Sequence, residues 1–158
     1  MTPLRNPEVA DTFDEMAELL AIEGGNVFRV RAYQRAALVI RTLPQPLAEW
    51  RTQHEFDELP GVGADLAKKI TELLGTGRLR ALEKLRHRVP VGLRALLQLP
   101  GLGPVRVRAL HLCLGVSDVD GLRRAIQADR LAKVRGFGPV LRERLRAAVA
   151  SSPSSPPR

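Results

Sequence analysis

A short glycine-containing turn occurs three times in the chain and constrains the fold more than any other feature. The copies read Leu59-Pro60-Gly61-Val62-Gly63, Leu99-Pro100-Gly101-Leu102-Gly103 and Val134-Arg135-Gly136-Phe137-Gly138. They begin 40 and 35 residues apart, a period typical of tandem units that each contain two short helices. The repeat therefore predicts an all-α chain, a bundle of short helices joined by tight hairpins.

A helix is expected after each turn. The segments 64–74, 104–114 and 139–149 carry apolar residues at the three- and four-residue spacing of one helix face. The composition agrees, because Leu, Ala, Arg and Glu favour helices and aromatic residues, which favour strands, make up only 4% of the chain. The sequence thus predicts tandem helix-hairpin-helix motifs.

Two longer helices are expected before the first turn. The first is predicted to run from Asn6, as its N-cap, to Glu23, because Gly24-Gly25 follows. The second is predicted to run from a cap at Asn26 to about Arg41, and the spacing places Val30, Tyr33, Ala37 and Ile40 on its inner side.

The repeats divide the chain into two predicted domains and a tail. Residues 1–88 would hold the N-terminal helices and the first hairpin, and residues 89–150 would hold the other two hairpins. Residues 151–158 contain only Ser and Pro before the final Arg, a composition typical of disorder.

Charge is distributed unevenly along the chain. Residues 1–57 carry a net charge of −3 and residues 58–158 a net charge of +11, within a total of +8. A basic second half indicates a polyanionic partner, although a solvated surface rich in arginine has the same composition. The chain has no apolar stretch long enough to span a membrane and no signal peptide, so we expect no membrane partner and a cytoplasmic, nucleoid-associated location.

The turns have the composition of a phosphate-binding elbow. Glycine permits a positive φ and the close approach of another backbone, and the apolar middle residue can anchor the turn in the core. The next helix then begins with free N–H groups, which together with the helix dipole favour a phosphate. Because such contacts read the backbone and not the bases, we expect sequence-independent binding. A single copy would be explained as well by a tight turn, and no copy matches a nucleotide-binding loop.

Basic residues near the turns would release counterions from the phosphates. The residues that these patterns predict to contact DNA are Gly61, Val62, Gly63, Gly101, Leu102, Gly103, Gly136, Phe137 and Gly138 in the turns, with Arg35, Lys68, Arg106 and Arg142.

Two segments resemble the N-terminal lyase domain of family X DNA polymerases. One is Phe28-Arg29-Val30-Arg31-Ala32-Tyr33-Gln34-Arg35-Ala36-Ala37, and the other is 59–74 with Thr76-Gly77-Arg78-Leu79. The second and third turns resemble the segment that follows in bacterial members. The resemblance implies a helical lyase domain and a helical DNA-binding segment that act on gapped or nicked DNA in base excision repair.

The resemblance also implies roles for individual residues. Lys69 takes the place of the family's Schiff-base lysine, and Phe28, Arg29 and Tyr33 fall where the family contacts the DNA end. A monovalent cation, Na⁺ or K⁺, would be held by backbone carbonyls, and no other cofactor or firm metal site is expected. The carbonyls in question belong to Leu59, Val62, Leu99 and Leu102.

Lys69 is the residue on which an enzymatic activity would depend. A deoxyribose-phosphate or abasic-site lyase needs a neutral amine that attacks the sugar aldehyde and forms an imine. Lys69 is predicted at the border of the buried helix face, where partial desolvation favours the neutral form. The plainer interpretation is a phosphate contact with the lysine stem packed on the helix. An ion pair with Asp65 or Glu72 would argue against the chemistry, so lyase activity stays open at this point.

The polymerase palm of the family is not recognisable in this chain. Asp118-Val119-Asp120 is followed by apolar residues at helical spacing, and we interpret it as a helix N-terminus and not as a metal site. The chain by itself is therefore not expected to be a polymerase. Cys113, the single cysteine, lies in an apolar run and is predicted to be buried.

Three functions remain open from the sequence. The first is a repair protein that binds gapped, nicked or single-strand/duplex-junction DNA and has lyase activity, and the second is a non-catalytic accessory module of the same fold. The third is a helical protein-interaction domain. The expected partner is DNA, a repair polymerase or ligase is a candidate second partner, and the chain is expected to act as a monomer. A steep salt dependence of DNA binding would favour the first two.

Overall fold

The computed structural model describes residues 4–151, and these residues form helices and turns without a strand. They divide into two compact units, one made of residues 4–20 and 25–87 and the other of residues 21–24 and 88–151. The predicted all-α architecture is confirmed.

Short helices account for most of the described chain. In chain order they are α1 (Asn6–Glu23), α2 (Val27–Thr42), α3 (Leu47–Trp50), α4 (Ala64–Thr76), α5 (Arg80–Arg88), α6 (Leu93–Leu96), α7 (Pro104–Leu114), α8 (Val119–Gln127) and α9 (Pro139–Ser151). Single 3-10 turns occupy Phe56–Glu58 and Leu131–Lys133.

The start of α2 follows the sequence prediction. The Asn26 side-chain oxygen accepts hydrogen bonds from the N–H groups of Phe28 and Arg29, at 2.8 and 3.3 Å. These bonds satisfy two of the donors that a helix start leaves without a partner. The inner side of α2 is buried as the spacing predicts, and Tyr33 lies edge-on to Phe13 with ring centroids 5.5 Å apart.

Asn6 has a different role from the predicted N-cap. It is the first residue of α1, and its amide nitrogen donates to the carbonyl of Gln45 at 2.8 Å. Its side-chain oxygen accepts from the N–H of Leu47 at 2.9 Å. The side chain therefore joins the start of α1 to the start of α3, about 40 residues away, and such a long-range contact has no signal in the local sequence.

One half-buried ion pair stabilises the first unit. The Arg86 guanidinium donates two hydrogen bonds to the Glu15 carboxylate, at 2.6 and 2.7 Å, and the Glu15 side chain is only 9% exposed. These bonds raise the pKa of Arg86 above its usual value, against the opposing effect of burial. Because hydrogen bonds between charged groups are stronger than those between neutral ones, this arginine contributes to the packing of α1.

The second unit contains the predicted helix start at Asp118. The Asp118 side chain accepts a hydrogen bond from the N–H of Gly121 at 2.7 Å, so it is the N-cap of α8. No group of three or more His, Cys, Asp or Glu side chains in the described chain is arranged to hold a metal ion. Cys113, by contrast, is exposed. The prediction of a buried thiol was wrong because α7 turns its apolar residues Leu112 and Cys113 away from the inner face formed by Val107 and Leu110.

The last helix extends by one residue into the predicted tail. Ser151, which the sequence assigns to the tail, is the last residue of α9. Residues 152–158 lie outside the described residues. Within residues 4–151, the helices are too short or too polar to cross a membrane.

Candidate nucleic-acid interface

The three glycine turns adopt one backbone conformation. We call them hairpin 1 (59–63), hairpin 2 (99–103) and hairpin 3 (134–138). The first glycine of each has a positive φ, +76° at Gly61, +77° at Gly101 and +94° at Gly136. In each hairpin the N–H of the residue after this glycine donates to the carbonyl of the first residue, at 3.0 to 3.3 Å. The repeat seen in the sequence is therefore a repeat of main-chain geometry.

Each hairpin is anchored by its middle apolar residue and leads directly into a helix. Val62, Leu102 and Phe137 are each at most 5% exposed. At hairpins 1 and 2 the second glycine, Gly63 or Gly103, is the N-cap of the next helix and has extended backbone without a side chain to cap it. The first-turn N–H groups of α4 and α7 have no partner within their own helix. At each of these helix starts, the N–H groups and the positive end of the helix dipole favour the binding of an anion.

The three helix starts differ in their first residues. Helices α7 and α9 begin with Pro104 and Pro139, which lack an N–H, and continue with Val105 and Val140, which are 83% and 73% exposed. Helix α4 has Asp65 at the corresponding exposed position. The start of α4 therefore offers one more N–H donor, and it also carries a carboxylate that repels phosphate.

Residues of α2 lie next to hairpin 1. The Cδ atom of Arg35 is 3.3 Å from the point that a Cβ on Gly61 would occupy. Arg29 and Lys68, also predicted to contact DNA, are exposed, and so is Phe28, at 78%.

The predicted role of Tyr33 in DNA binding was wrong. Its side chain is completely buried, and its hydroxyl has no hydrogen-bond partner among the described residues. The side chain points into the core because Tyr33 shares the inner face of α2 with Val30, Ala37 and Ile40. The side chain packs in the core beneath α2 and is not accessible to a nucleic acid.

Lys69 forms an ion pair with a residue of its own helix. Its Nζ lies 2.9 and 3.0 Å from the two carboxylate oxygens of Asp65, one turn earlier. The Lys69 side chain is 15% exposed, at the border position that the sequence predicts, whereas that of Asp65 is 71% exposed. The Lys69 nitrogen is therefore engaged by both oxygens of one carboxylate, and this is the pairing expected to argue against imine chemistry.

Arg106 and Arg142 bind hairpin carbonyls. Arg106 donates from Nη1 to the Gly101 carbonyl at 3.0 Å and from Nε to the Gly136 carbonyl at 3.2 Å. Arg142 donates from Nη1 to the carbonyl of Phe137 at 2.8 Å. The sequence predicted phosphate contacts for both side chains, and the structure shows them engaged, at least in part, with the hairpins themselves.

Hairpins 2 and 3 are connected within the second unit by side chains of the helices that follow them, Arg106 of α7 and Leu141 of α9. A Cβ built on Gly101 would lie 2.6 Å from Cδ1 of Leu141, so any larger residue at this position would force the end of the leucine side chain to move. A groove runs between the two hairpins, and Arg144 contributes a second basic side chain to its wall. The groove is lined by Gly101, Arg106, Gly136, Gly138, Leu141 and Arg144. Sequence reasoning missed Leu141, since nothing in a linear repeat shows which copies pack together.

Comparison with protein families places the hairpins in known domains. Residues 4–79 match the model described as a helix-hairpin-helix domain, and residues 93–150 match the one described as a SAM-like helix-hairpin-helix tandem. The chain thus contains helix-hairpin-helix domains and is homologous to family X DNA polymerases. The helix-hairpin-helix domains of this chain are of a DNA-binding type.

Two relatives show the extent of the homology. The chain is 28% identical over 155 residues to the DNA polymerase/3′-5′ exonuclease PolX of Bacillus subtilis, and this match covers 98% of the chain and 27% of that protein. It is 27% identical over 86 residues to DNA polymerase lambda of Rattus norvegicus, covering 54% of the chain and 14% of that protein. The helix-hairpin-helix chain therefore spans about a quarter or less of the length of these relatives.

Proposed function

We propose that the chain binds the sugar-phosphate backbone of gapped or nicked DNA in repair, without sequence preference and without a lyase step. The observation that carries the proposal is the common geometry of the three hairpins, with a positive φ at the first glycine and a buried anchor after it. After hairpins 1 and 2 it leads into a helix start without a side-chain cap, whose main-chain N–H groups can bind phosphate. The homology to family X DNA polymerases supports a role in repair.

The proposed absence of a lyase step follows from the Asp65–Lys69 pair. An ammonium held by both carboxylate oxygens must lose its proton and leave this pair before it can attack an aldehyde. We therefore propose that Lys69 positions the start of α4. Borohydride reduction with an oligonucleotide that carries an abasic site tests this. We expect no covalent adduct with the wild type, and an adduct that disappears in Lys69→Ala would refute the proposal.

The binding proposal is tested by fluorescence anisotropy with labelled intact, nicked and gapped duplexes. We expect similar affinity for unrelated sequences and tighter binding to the nicked and gapped forms. The logarithm of the association constant should fall with the logarithm of salt concentration, with a slope of about −0.9 for each phosphate contact. A flat salt dependence, or a strong preference for one sequence, would contradict backbone recognition.

We also propose a monovalent cation at hairpins 1 and 2. The third hairpin supplies the reason, because the Arg142 guanidinium binds the carbonyl of Phe137, which corresponds to the carbonyls of Val62 and Leu102. The carbonyl at this position of the turn can therefore bind a positive group. In hairpins 1 and 2 the residues that correspond to Arg142 are Ala67 and Val107, which carry no charge, so a cation could take the place of the guanidinium. Exchange of K⁺ for tetramethylammonium at constant ionic strength should weaken DNA binding. Equal affinity in both salts would contradict this proposal.

A further inference from the structure

A single guanidinium connects two copies of the repeat. We propose that Arg106 is a positioning residue that holds hairpins 2 and 3 at one fixed separation, so that they bind the DNA backbone as a single unit. The inference rests on the proposed function and deepens it, because it concerns how two phosphate-binding turns act together.

The contacts of Arg106 are symmetric with respect to the repeat. Its Nη1 and Nε donate to the carbonyls of Gly101 and Gly136, at 3.0 and 3.2 Å. These two glycines are the positive-φ residues of hairpins 2 and 3 and occupy the same position in the turn. One side chain therefore joins equivalent atoms of two copies, and hairpin 1 has no counterpart because Leu66 stands at the corresponding place.

The chemistry of this bridge requires arginine. The guanidinium is planar and directs its N–H groups along fixed directions, so two carbonyls bound to it are held at a defined distance and angle. A lysine ammonium keeps the charge but is a point donor on a flexible stem. Leu141 of α9 also packs against Gly101 of hairpin 2, but this contact is apolar and does not fix a direction.

A fixed separation has a consequence for affinity. When two weak sites are linked rigidly at the spacing of their ligand, the second contact forms at a high effective concentration, and the linked affinity exceeds that of either site. If the separation fluctuates, part of this gain is lost although both hairpins keep their own geometry. Arg106 then raises affinity without contacting a phosphate.

The experiment compares Arg106→Lys, which keeps the charge, with the matched control Arg146→Lys on the exposed side of α9. Spin labels are placed at Val105→Cys and Val140→Cys, both exposed, in a background with Cys113→Ser. We expect a narrow label-to-label distance distribution in the labelled parent and the control and a broad one in Arg106→Lys. In unlabelled protein, Arg106→Lys should weaken binding to nicked duplex about tenfold, and the control should leave it unchanged.

Arg106→Gln serves as a second variant, and circular dichroism shows that each variant is folded. A distance distribution that stays narrow in Arg106→Lys would overturn the inference. So would a wild-type affinity in a folded Arg106→Lys. If the wild type fails to bind DNA, the proposed function falls, whereas the distance distributions still decide whether Arg106 fixes the two hairpins.

Discussion

Replacement of Gly101 by alanine tests the hairpin geometry most directly. Alanine at φ +77° adopts a left-handed conformation, which destabilises an L-residue by about 1–2 kcal/mol. The added Cβ would also lie 2.6 Å from Cδ1 of Leu141. Overpacking of this kind destabilises by about 1–3 kcal/mol, and we take the lower end because the end of the leucine side chain can move. The sum is about 2–3 kcal/mol of unfolding free energy.

Gly115→Ala provides the matched control in the same unit. Gly115 has φ +69° at the C-terminal end of α7, and a Cβ there would meet nothing within 4 Å. This variant therefore carries the conformational strain of about 1–2 kcal/mol alone. The effect of alanine on the unfolded chain is common to both variants, so the difference of about 1 kcal/mol reports the collision with Leu141.

Urea unfolding followed by circular dichroism measures this difference, and fluorescence anisotropy on nicked duplex measures the affinity. Gly101→Ala should bind DNA less tightly, while a folded Gly115→Ala keeps wild-type affinity because it lies outside the hairpins. A double-mutant cycle with Leu141→Ala should recover about 1 kcal/mol of coupling. Equal destabilisation by the two alanines would refute the collision, and unchanged affinity of a folded Gly101→Ala would refute the contact of hairpin 2 with DNA.

Two further predictions concern charged residues of the first unit. Arg86→Ala leaves the Glu15 carboxylate buried without this guanidinium and should lower the unfolding free energy by about 1–3 kcal/mol. Arg41→Ala should change it by at most about 1 kcal/mol, because the carboxylates that Arg41 binds, Asp11 and Asp14, are much more exposed than that of Glu15. Urea unfolding compares the two, and a larger effect of Arg41→Ala would contradict the argument. Asp65→Asn removes a negative charge at the start of α4 that repels a DNA phosphate. Two like charges about 4 Å apart in water repel each other by about 1 kcal/mol. The Kd for nicked duplex should therefore fall about fivefold. A higher Kd in a folded Asp65→Asn would show that the Asp65–Lys69 pair is needed for binding.

The features that could be predicted from the sequence are those set by short-range rules. The cap at Asn26 and the buried face of α2 follow from hydrogen bonds and spacings within a few residues of the chain. Asp118 was recognised as a helix start for the same reason. Local pattern and three-dimensional structure agree at these places because each element is formed by neighbours in the sequence.

The features that escaped prediction depend on contacts between distant residues. Asn6 meets Gln45 and Leu47, and Leu141 meets Gly101, through packing that no local pattern encodes. Tyr33 was assigned to the surface by resemblance, although its own spacing with Val30 and Ile40 indicates the core. For an arginine next to a predicted DNA contact, the sequence also does not show whether the side chain binds a phosphate or a carbonyl of the protein's own backbone, as Arg106 and Arg142 do.

The recognition surface inferred for this chain consists of peptide groups, and this has a consequence for the side chains around it. A turn needs two glycines and one apolar anchor to present its amides, and the other positions of the repeat are free to differ. The charge around the turn differs between the copies. The position after the helix start holds Asp65 in the first copy and a valine in the later two. In the later two copies, arginine side chains donate hydrogen bonds to carbonyls of the turn. Three turns with one backbone conformation can thus offer a phosphate different electrostatic environments, and the attraction is expected to be weakest at hairpin 1, where the Asp65 carboxylate lies.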